Sequence, residues 1–174
     1  MSTEAPDKPN RHFIRILKIL TVDGDPGPAI YGTFTAGAVI AAESTRAESL
    51  WLSCLGVELV VLLYWLAHAY SRGLSRRVKE REALSWKGLI QDFKREFGIV
   101  EGASIPLAVV VIVGVFSRNP VTALSVGIWV TCISLVAYEL LAGIAIGLRR
   151  WALVSQAAIG GLLAVGIALL KAIS

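Results

Sequence analysis

Residues 50–70 read LWLSCLGVELVVLLYWLAHAY. This stretch contains no Lys, Arg or Asp, but it includes one glutamate, Glu58, and one histidine, His68. A helix of about 20 apolar residues spans the roughly 30 Å hydrocarbon layer of a bilayer. Residues 50–70 therefore predict a transmembrane helix. Glu58 is the side chain that most needs an explanation, because an ionisable group is costly inside the membrane.

The composition of the whole chain is that of a membrane protein. Of its 174 residues, 55% are hydrophobic and 17% are charged, and the mean hydropathy is +0.66. The apolar residues occur in blocks that are too long for the core of one soluble domain. We expect an all-α membrane protein, a bundle of about five transmembrane helices within residues 26–174. The expected spans are about 26–42, 50–71, 99–117, 121–148 and 151–170.

The first of these spans is the weakest. Its most apolar part, residues 29–42, would rise only about 21 Å as a helix, and it approaches full length only when it is counted from Pro26. We predict that residues 26–42 cross the membrane. A re-entrant segment is the alternative.

The N-terminal region has the pattern of a helix at the membrane surface. After a polar, proline-containing tail at residues 1–10, which we expect to be disordered, residues 11–22 place Arg11, Arg15 and Lys18 on one face. Apolar side chains occupy the opposite face. Such a helix can bind anionic headgroups, although it could instead pack on the protein itself.

A second charged segment follows the stretch at residues 50–70. Residues 75–98 combine many charges with apolar side chains at helical spacing, which predicts another amphipathic helix on the cytoplasmic surface. Trp86 is expected at the level of the headgroups, where the indole ring is favoured.

The positive charges predict how the chain is oriented. If all five spans cross the membrane, fourteen of the 17 Lys and Arg residues lie on one side and three on the other. Because cytoplasmic loops carry the excess of Lys and Arg, we expect the N-terminus in the cytoplasm and the C-terminus outside, in the cytoplasmic membrane of a bacterium. We expect no cleaved signal peptide, because no suitable apolar region follows the polar start of the chain.

Four ionisable side chains inside the predicted spans are candidates for a functional site: Glu58, His68, Glu101 and Glu139. His68 and Glu101 would lie roughly 5 Å from the cytoplasmic ends of their helices. Glu139 and Glu58 would lie deeper, at roughly 15 Å and 21 Å. Such a series is typical of an ion or proton path, because buried carboxylates can exchange protons near neutral pH. The alternative is structural, with protonated glutamates hydrogen-bonded between helices.

Small residues predict where helices approach each other closely. Gly143 and Gly147 form a GxxxG motif in the fourth span, and Gly160 and Gly161 lie in a fifth span rich in Ala and Gly. Small residues let helix backbones come into contact in membranes. We expect these helices to pack tightly, within the chain or against another subunit.

The sequence contains no motif for catalysis, for a cofactor or for nucleic-acid binding. No nucleophile has a base at a diagnostic spacing, and no HExxH, GxSxG or phosphate-binding loop occurs. The two cysteines, Cys54 and Cys132, are isolated in apolar segments and do not form a metal-binding pair. We expect neither an enzyme nor a protein with a bound metal or cofactor.

Three passages are distinctive: VVLLYWLAHAYS at residues 60–71, EFGIVEGASIP at 96–106 and IALLKAIS at 167–174. Together they resemble a family of small bacterial integral membrane proteins that has no assigned activity. The resemblance implies a membrane protein of similar length and no catalytic residues. It draws attention to Trp65, His68 and Glu101, which lie within these passages.

These patterns predict a multi-pass membrane protein that works without catalysis. We expect an accessory or assembly subunit. Its partners would be the bilayer with its anionic headgroups, and a second copy of the chain or another membrane subunit. The alternative is a small proton- or cation-coupled transporter or channel that uses Glu58 and Glu139.

Overall fold

The computed structural model describes residues 25–45 and 49–173, and within these ranges the chain contains no strand. Its helices are α1 (Pro26–Glu43), α2 (Leu50–Glu80), α3 (Trp86–Arg95), α4 (Gly98–Ser117), α5 (Pro120–Ala145) and α6 (Arg150–Ile173). The expected all-α membrane bundle is confirmed. The predicted tail and N-terminal amphipathic helix, with Arg11, Arg15 and Lys18, lie outside the described residues.

Local sequence signals explain where α1 and α5 begin. Asp25 caps α1 by accepting a hydrogen bond from the backbone N–H of Gly27 (2.9 Å). Asn119 caps α5 by accepting one from the backbone N–H of Thr122 (3.2 Å). Both helices start with a proline, which is favourable there because the first N–H groups of a helix have no partner within it. These caps fix the starts of two helices that lie side by side.

Within the described ranges, four segments are long and apolar enough to cross a membrane, so the chain is a multi-pass membrane protein. They are α2, α5, α6 and a segment that contains α3 and α4. Helix α1 is not among them, yet it packs against α2, α4, α5 and α6. The buried face of α1 consists mainly of small residues: Ala29, Gly32, Thr33, Ala36, Gly37, Ile40 and Ala41. The long helix that does not qualify as a candidate span, α1, therefore lies at the centre of the bundle.

The helices that surround α1 run in alternating directions. The start of α1 lies beside the start of α4, where Gly98 faces Pro28. The start of α2 lies beside the end of α4, where Gly114 faces Leu50. We call the end of the bundle that carries residues 72–98 the basic end, because most of the described Lys and Arg residues lie there.

Helices α5 and α6 continue this alternation. Near the basic end, Gln156 of α6 donates a hydrogen bond to Glu139 of α5 (2.6 Å). Near the opposite end, Lys171 of α6 donates to Ser125 of α5 (3.1 Å). The two helices are therefore antiparallel along their length.

Helices α1 and α4 cross with their backbones in contact. A Cβ atom added at Gly32 would overlap the carbonyl oxygen of Ile99, and one added at Gly102 would overlap that of Ala29. Gly98 and Gly102 have the GxxxG spacing that lets transmembrane helices approach closely. A larger residue at Gly32 or Gly102 would push the two helices apart.

A proline in α4 leaves a carbonyl group that α1 satisfies. Pro106 has no N–H, so the carbonyl oxygen of Gly102, four residues earlier, lacks its usual helical donor. The hydroxyl group of Thr33 donates to this oxygen (2.8 Å), and Thr33 and Pro106 are both fully buried. Neighbouring helices commonly satisfy the backbone groups that proline frees in membranes.

Helix α2 is longer than its apolar stretch. It continues past the predicted end at residue 71 to Glu80, because the charged residues after the apolar stretch are good helix formers. Residues 75–98, predicted as one amphipathic segment, are therefore divided between the end of α2, a short linker and α3.

Helix α5 is shorter than the predicted span, which extended to residue 148. Gly147 adopts a left-handed conformation, with φ at 75°, and the N–H of Leu148 donates to the carbonyl of Gly143 (2.9 Å). This is the hydrogen-bond pattern with which glycine ends a helix. Helix α5 therefore ends at Ala145 although the apolar sequence continues.

Candidate functional site

The four ionisable residues predicted inside the membrane lie at separate places in the bundle. Glu139 lies between α5 and α6, and His68 lies where α2 meets α3. Glu58 and Glu101 lie on α2 and α4. Within residues 25–45 and 49–173, no hydrogen bond or ion pair joins any two of the four.

Glu139 links α5 to α6. Its carboxylate accepts the hydrogen bond from Nε2 of Gln156, and its side chain packs over Gly160. Only 8% of Glu139 is exposed. A hydrogen-bonded glutamate between two helices is the arrangement expected from the structural alternative, in which this residue holds helices together.

Glu58 lies in the middle of α2 and is half-buried. Its carboxylate has no hydrogen bond or ion pair with any other described residue. Leu55, one turn earlier on the same side of the helix, is 65% exposed. A Cβ atom added at Gly56 would meet no neighbouring atom within 4 Å. Glu58 therefore lies beside a surface of α2 that faces away from the bundle.

His68 belongs to an aromatic and ionic cluster at the basic end. Its ring lies 5.6 Å from the rings of both Tyr31 and Tyr64, measured between centroids. Its Nε2 atom lies 3.6 Å from one carboxylate oxygen of Glu96, and Nε of Arg72 lies 3.1 Å from the other. His68 thus faces the contact between α2 and α3.

A second carboxylate, that of Asp92 in α3, is buried against α2. It accepts a hydrogen bond from Arg76 (3.1 Å) at one oxygen and from Arg77 (2.9 Å) at the other. Asp92 is 5% exposed and Arg77 is 7% exposed. The hydrogen bond to Asp92 raises the pKa of the Arg76 guanidinium, in the charged extension of α2 beyond its apolar stretch. A Cβ atom at Gly73 would overlap the Asp92 carboxylate, so this close approach requires glycine.

Aromatic contacts complete the docking of α3 on α2. The ring of Trp65 packs edge-on against Phe93 and Phe97, at centroid distances of 5.5 and 5.8 Å. Its Nε1 atom also donates to the backbone carbonyl of Phe93 (3.2 Å). At the start of α3, Trp86 is 77% exposed, and its place among lipid headgroups stays a prediction.

Glu101 lies in the first turn of α4, where the helix dipole favours a carboxylate. It is half-buried. Its position therefore fits a role at the helix start without any further partner.

The four glycines predicted to pack helices have different surroundings. Gly160 lies against the backbone of α5, and Gly143 faces the side chain of Leu153 in α6. Gly147 ends α5, and Gly161 has no neighbouring atom within 4 Å of an added Cβ. Gly147 of the GxxxG motif thus ends α5. The closest approach of two helix backbones lies instead between α1 and α4.

The partner residues in the contacts that hold α1 and α3 in place were not predicted from the sequence. The GxxxG spacing of Gly98 and Gly102 could have been found, since the same spacing was recognised elsewhere. The pairing of Thr33 with Gly102, and of Asp92 with two arginines, joins residues that lie far apart in the chain. Local spacing gives no signal for such pairs.

Nothing in the described ranges groups three or more His, Cys, Asp or Glu side chains as a metal ion would require. No family model, curated protein or solved structure matches the chain.

Proposed function

We propose that the chain is a non-enzymatic accessory or assembly subunit of the bacterial cytoplasmic membrane, with its N-terminus in the cytoplasm. It associates through the Glu58 side of α2 with a transmembrane helix that carries a polar or cationic side chain at mid-membrane depth. Glu58 provides the acceptor for this contact.

The observation that carries the proposal is the missing partner of Glu58. Ionisable residues in transmembrane helices almost always pair with another group or face a polar interior. Glu139 follows this rule through Gln156, whereas Glu58 has no partner among residues 25–45 and 49–173. A carboxylate at mid-membrane that stays unpaired is costly, so a second chain that supplies a donor would be stabilised at this position.

The surroundings of Glu58 leave room for such a helix. Leu55 and Leu59 are 65% and 58% exposed, and the position of Gly56 is open. A transmembrane helix could therefore pack against this side of α2 without displacing any described residue.

The centre of the bundle supports assembly more than transport. The space between the helices is filled by α1 and by apolar side chains that are fully buried, among them Ile40, Val57, Val110 and Leu124. Glu139, a deep carboxylate that faces another helix of the chain, is already hydrogen-bonded.

The aromatic residues support a crossing in which both ends of the bundle lie at membrane surfaces. Trp86 and Trp151 are 77% and 86% exposed at the basic end. Trp51 and Phe116 are 60% and 85% exposed at the other end. Tryptophan is enriched at both membrane–water interfaces, and an excess of Lys and Arg is typical of the cytoplasmic side.

The proposal can be tested by photo-crosslinking in the membrane. A photoreactive amino acid at Leu55 should crosslink to one specific transmembrane chain, which is either a second copy or another protein. In the Glu58→Leu variant we expect the crosslinked fraction to fall about tenfold, since one hydrogen bond in the membrane is worth about 1–2 kcal/mol.

The matched control is Glu139→Gln. Because Glu139 has its partner inside the chain, this substitution should leave the crosslink unchanged. The Glu58→Gln variant distinguishes the two partner chemistries, since glutamine can replace a neutral hydrogen bond but not an ion pair. A crosslink that survives Glu58→Leu at full strength, or a purified protein that is always monomeric and free of partners, would contradict the proposal.

The alternative function, a proton- or cation-coupled transporter or channel, makes a different prediction. Flux into proteoliposomes of the purified chain would then depend on both Glu58 and Glu139. Flux that is lost in Glu58→Gln and in Glu139→Gln would favour transport over assembly.

A further inference from the structure

A cavity of about 570 Å³ lies between α2 and α3 at the basic end of the bundle. Small residues of α2, among them Ala69, Ser71 and Ser75, line this space. The charged side chains that line it are Arg72, Arg76, Lys79, Arg95, Asp92 and Glu96. Its volume falls within the range typical of small-ligand sites.

The lining has more positive charge than its carboxylates neutralise. Asp92 and Glu96 are held by Arg76 and Arg72 and form the buried wall of the cavity. Lys79 lines the cavity, is exposed, and has no ion pair or hydrogen bond with another described residue. The same is true of Arg95. Two cationic groups are therefore available to an anion.

Neutral donors accompany these cations. Ser71 and Ser75 also line the cavity, and with Lys79 they recur every fourth residue, which places them on one face of α2. Neither hydroxyl group bonds to another described residue. Arg76 adds a buried Nε atom for which the described residues provide no acceptor. Hydroxyl, ammonium and guanidinium groups together are the donors that bind phosphate oxygens in proteins.

We propose that this cavity binds a phosphate group, and that the group belongs to the headgroup of an anionic phospholipid. The cavity begins where the apolar stretch at residues 50–71 ends, which is the depth at which headgroups lie. Leu74 and Val78 are 45% and 70% exposed on neighbouring turns of α2. They provide apolar surface beside the cavity. The proposal does not depend on Glu58 or on its partner.

The test uses the full-length protein, purified in mild detergent and stripped of lipid. Phosphatidylglycerol, phosphatidylcholine and inorganic phosphate are titrated separately, and binding is measured by native mass spectrometry and thermal stabilisation. We expect phosphatidylglycerol to bind at least about tenfold more tightly than phosphatidylcholine, since each Lys or Arg near the site favours an anionic lipid.

Two double variants distinguish the contribution of the cavity to lipid binding from that of the general surface charge. Lys79→Gln with Arg95→Gln removes the two unpaired cations and should abolish most of the preference for phosphatidylglycerol. Lys87→Gln with Lys94→Gln removes two exposed cations of α3 that do not line the cavity, and it should keep the preference. Neither pair of positions is buried, so both variants should fold.

Each outcome decides the proposal. Equal binding of the two lipids together with no binding of inorganic phosphate would overturn it. An equal loss in both double variants would also overturn it, because the preference would then come from net charge. If inorganic phosphate binds and requires Lys79 and Arg95 while the lipids are not distinguished, the phosphate site stands and its lipid source is wrong.

Discussion

A single carbonyl oxygen shows how residues in this bundle depend on one another across helices. Pro106 removes the donor that the carbonyl of Gly102 would normally have, and Thr33 supplies another from α1. The sequence places a proline, Pro106, inside the predicted span 99–117, which predicts a bend in that helix. It gives no sign of the link to Thr33, because Thr33 and Gly102 are 69 residues apart.

We expect Thr33→Val to lower the free energy of unfolding by about 1 kcal/mol, since it leaves a buried carbonyl without a donor. Thr33→Ser keeps the hydroxyl group and should be close to the wild type. Unfolding in mixed micelles of SDS and a mild detergent measures the difference.

The link to Pro106 is tested by a double-mutant cycle with Pro106→Ala, which returns a backbone N–H to α4. In that background Thr33→Val should cost much less. If its cost is the same in both backgrounds, the hydroxyl group does not replace the missing donor.

At the scale of elements, α3 shows what helical periodicity can and cannot predict. The spacing of its apolar residues predicted an amphipathic helix with one apolar face. The structure turns Phe93 of that face, and Phe97 just after the helix, toward Trp65, and it turns Asp92 toward the arginines of α2. Periodicity defines a face, but the partner that covers it is set by the path of the chain.

We expect Asp92→Asn to loosen α3 from α2, because Arg77 would be left buried without its counter-ion. Breaking a buried ion pair costs about 3 kcal/mol or more. The expected result is faster hydrogen exchange in residues 86–95 and new trypsin cleavage within them, with little change in α5 and α6.

The control for this change is Glu80→Gln. Glu80 also pairs with Arg76, but its side chain is 49% exposed, so the pair contributes less than about 1 kcal/mol. Unchanged exchange in Asp92→Asn, or equal effects of the two substitutions, would show that Asp92 does not hold α3 in place.

At the scale of the whole molecule, hydropathy predicted four helices directly and packing explains the fifth. Helices α2, α4, α5 and α6 follow from long apolar segments, and the structure agrees on all four. Helix α1 was the weakest prediction. Because it is surrounded by other helices, its buried face consists mainly of small residues, which give a weaker hydropathy signal than large apolar ones. The site residues were harder to predict, since His68 meets Glu96, and Arg77 meets Asp92, only after α3 folds back on α2.

The orientation of the bundle can be tested with single cysteines and a membrane-impermeant maleimide. In intact cells, Thr45→Cys and Thr122→Cys, at the end opposite the basic end, should react, whereas Leu84→Cys at the basic end should react only after permeabilisation. The wild-type chain gives the background, because Cys54 and Cys132 lie within the bundle. A reversed pattern would place the N-terminus outside, and labelling of all three positions in intact cells would contradict the crossing of α2.

The central place of α1 also has a consequence for the time course of synthesis. Among the described helices α1 is translated first, yet the helix that it crosses most closely, α4, is complete only at Ser117, about 75 residues later. At roughly 5–20 residues per second, α1 waits on the order of 4 to 15 s for that partner. During this interval it is a weakly apolar segment with an exposed Gly- and Thr-containing face. The contacts of α1 therefore form only after α4 has been translated, and the core of the protein is completed long after this helix has been synthesised.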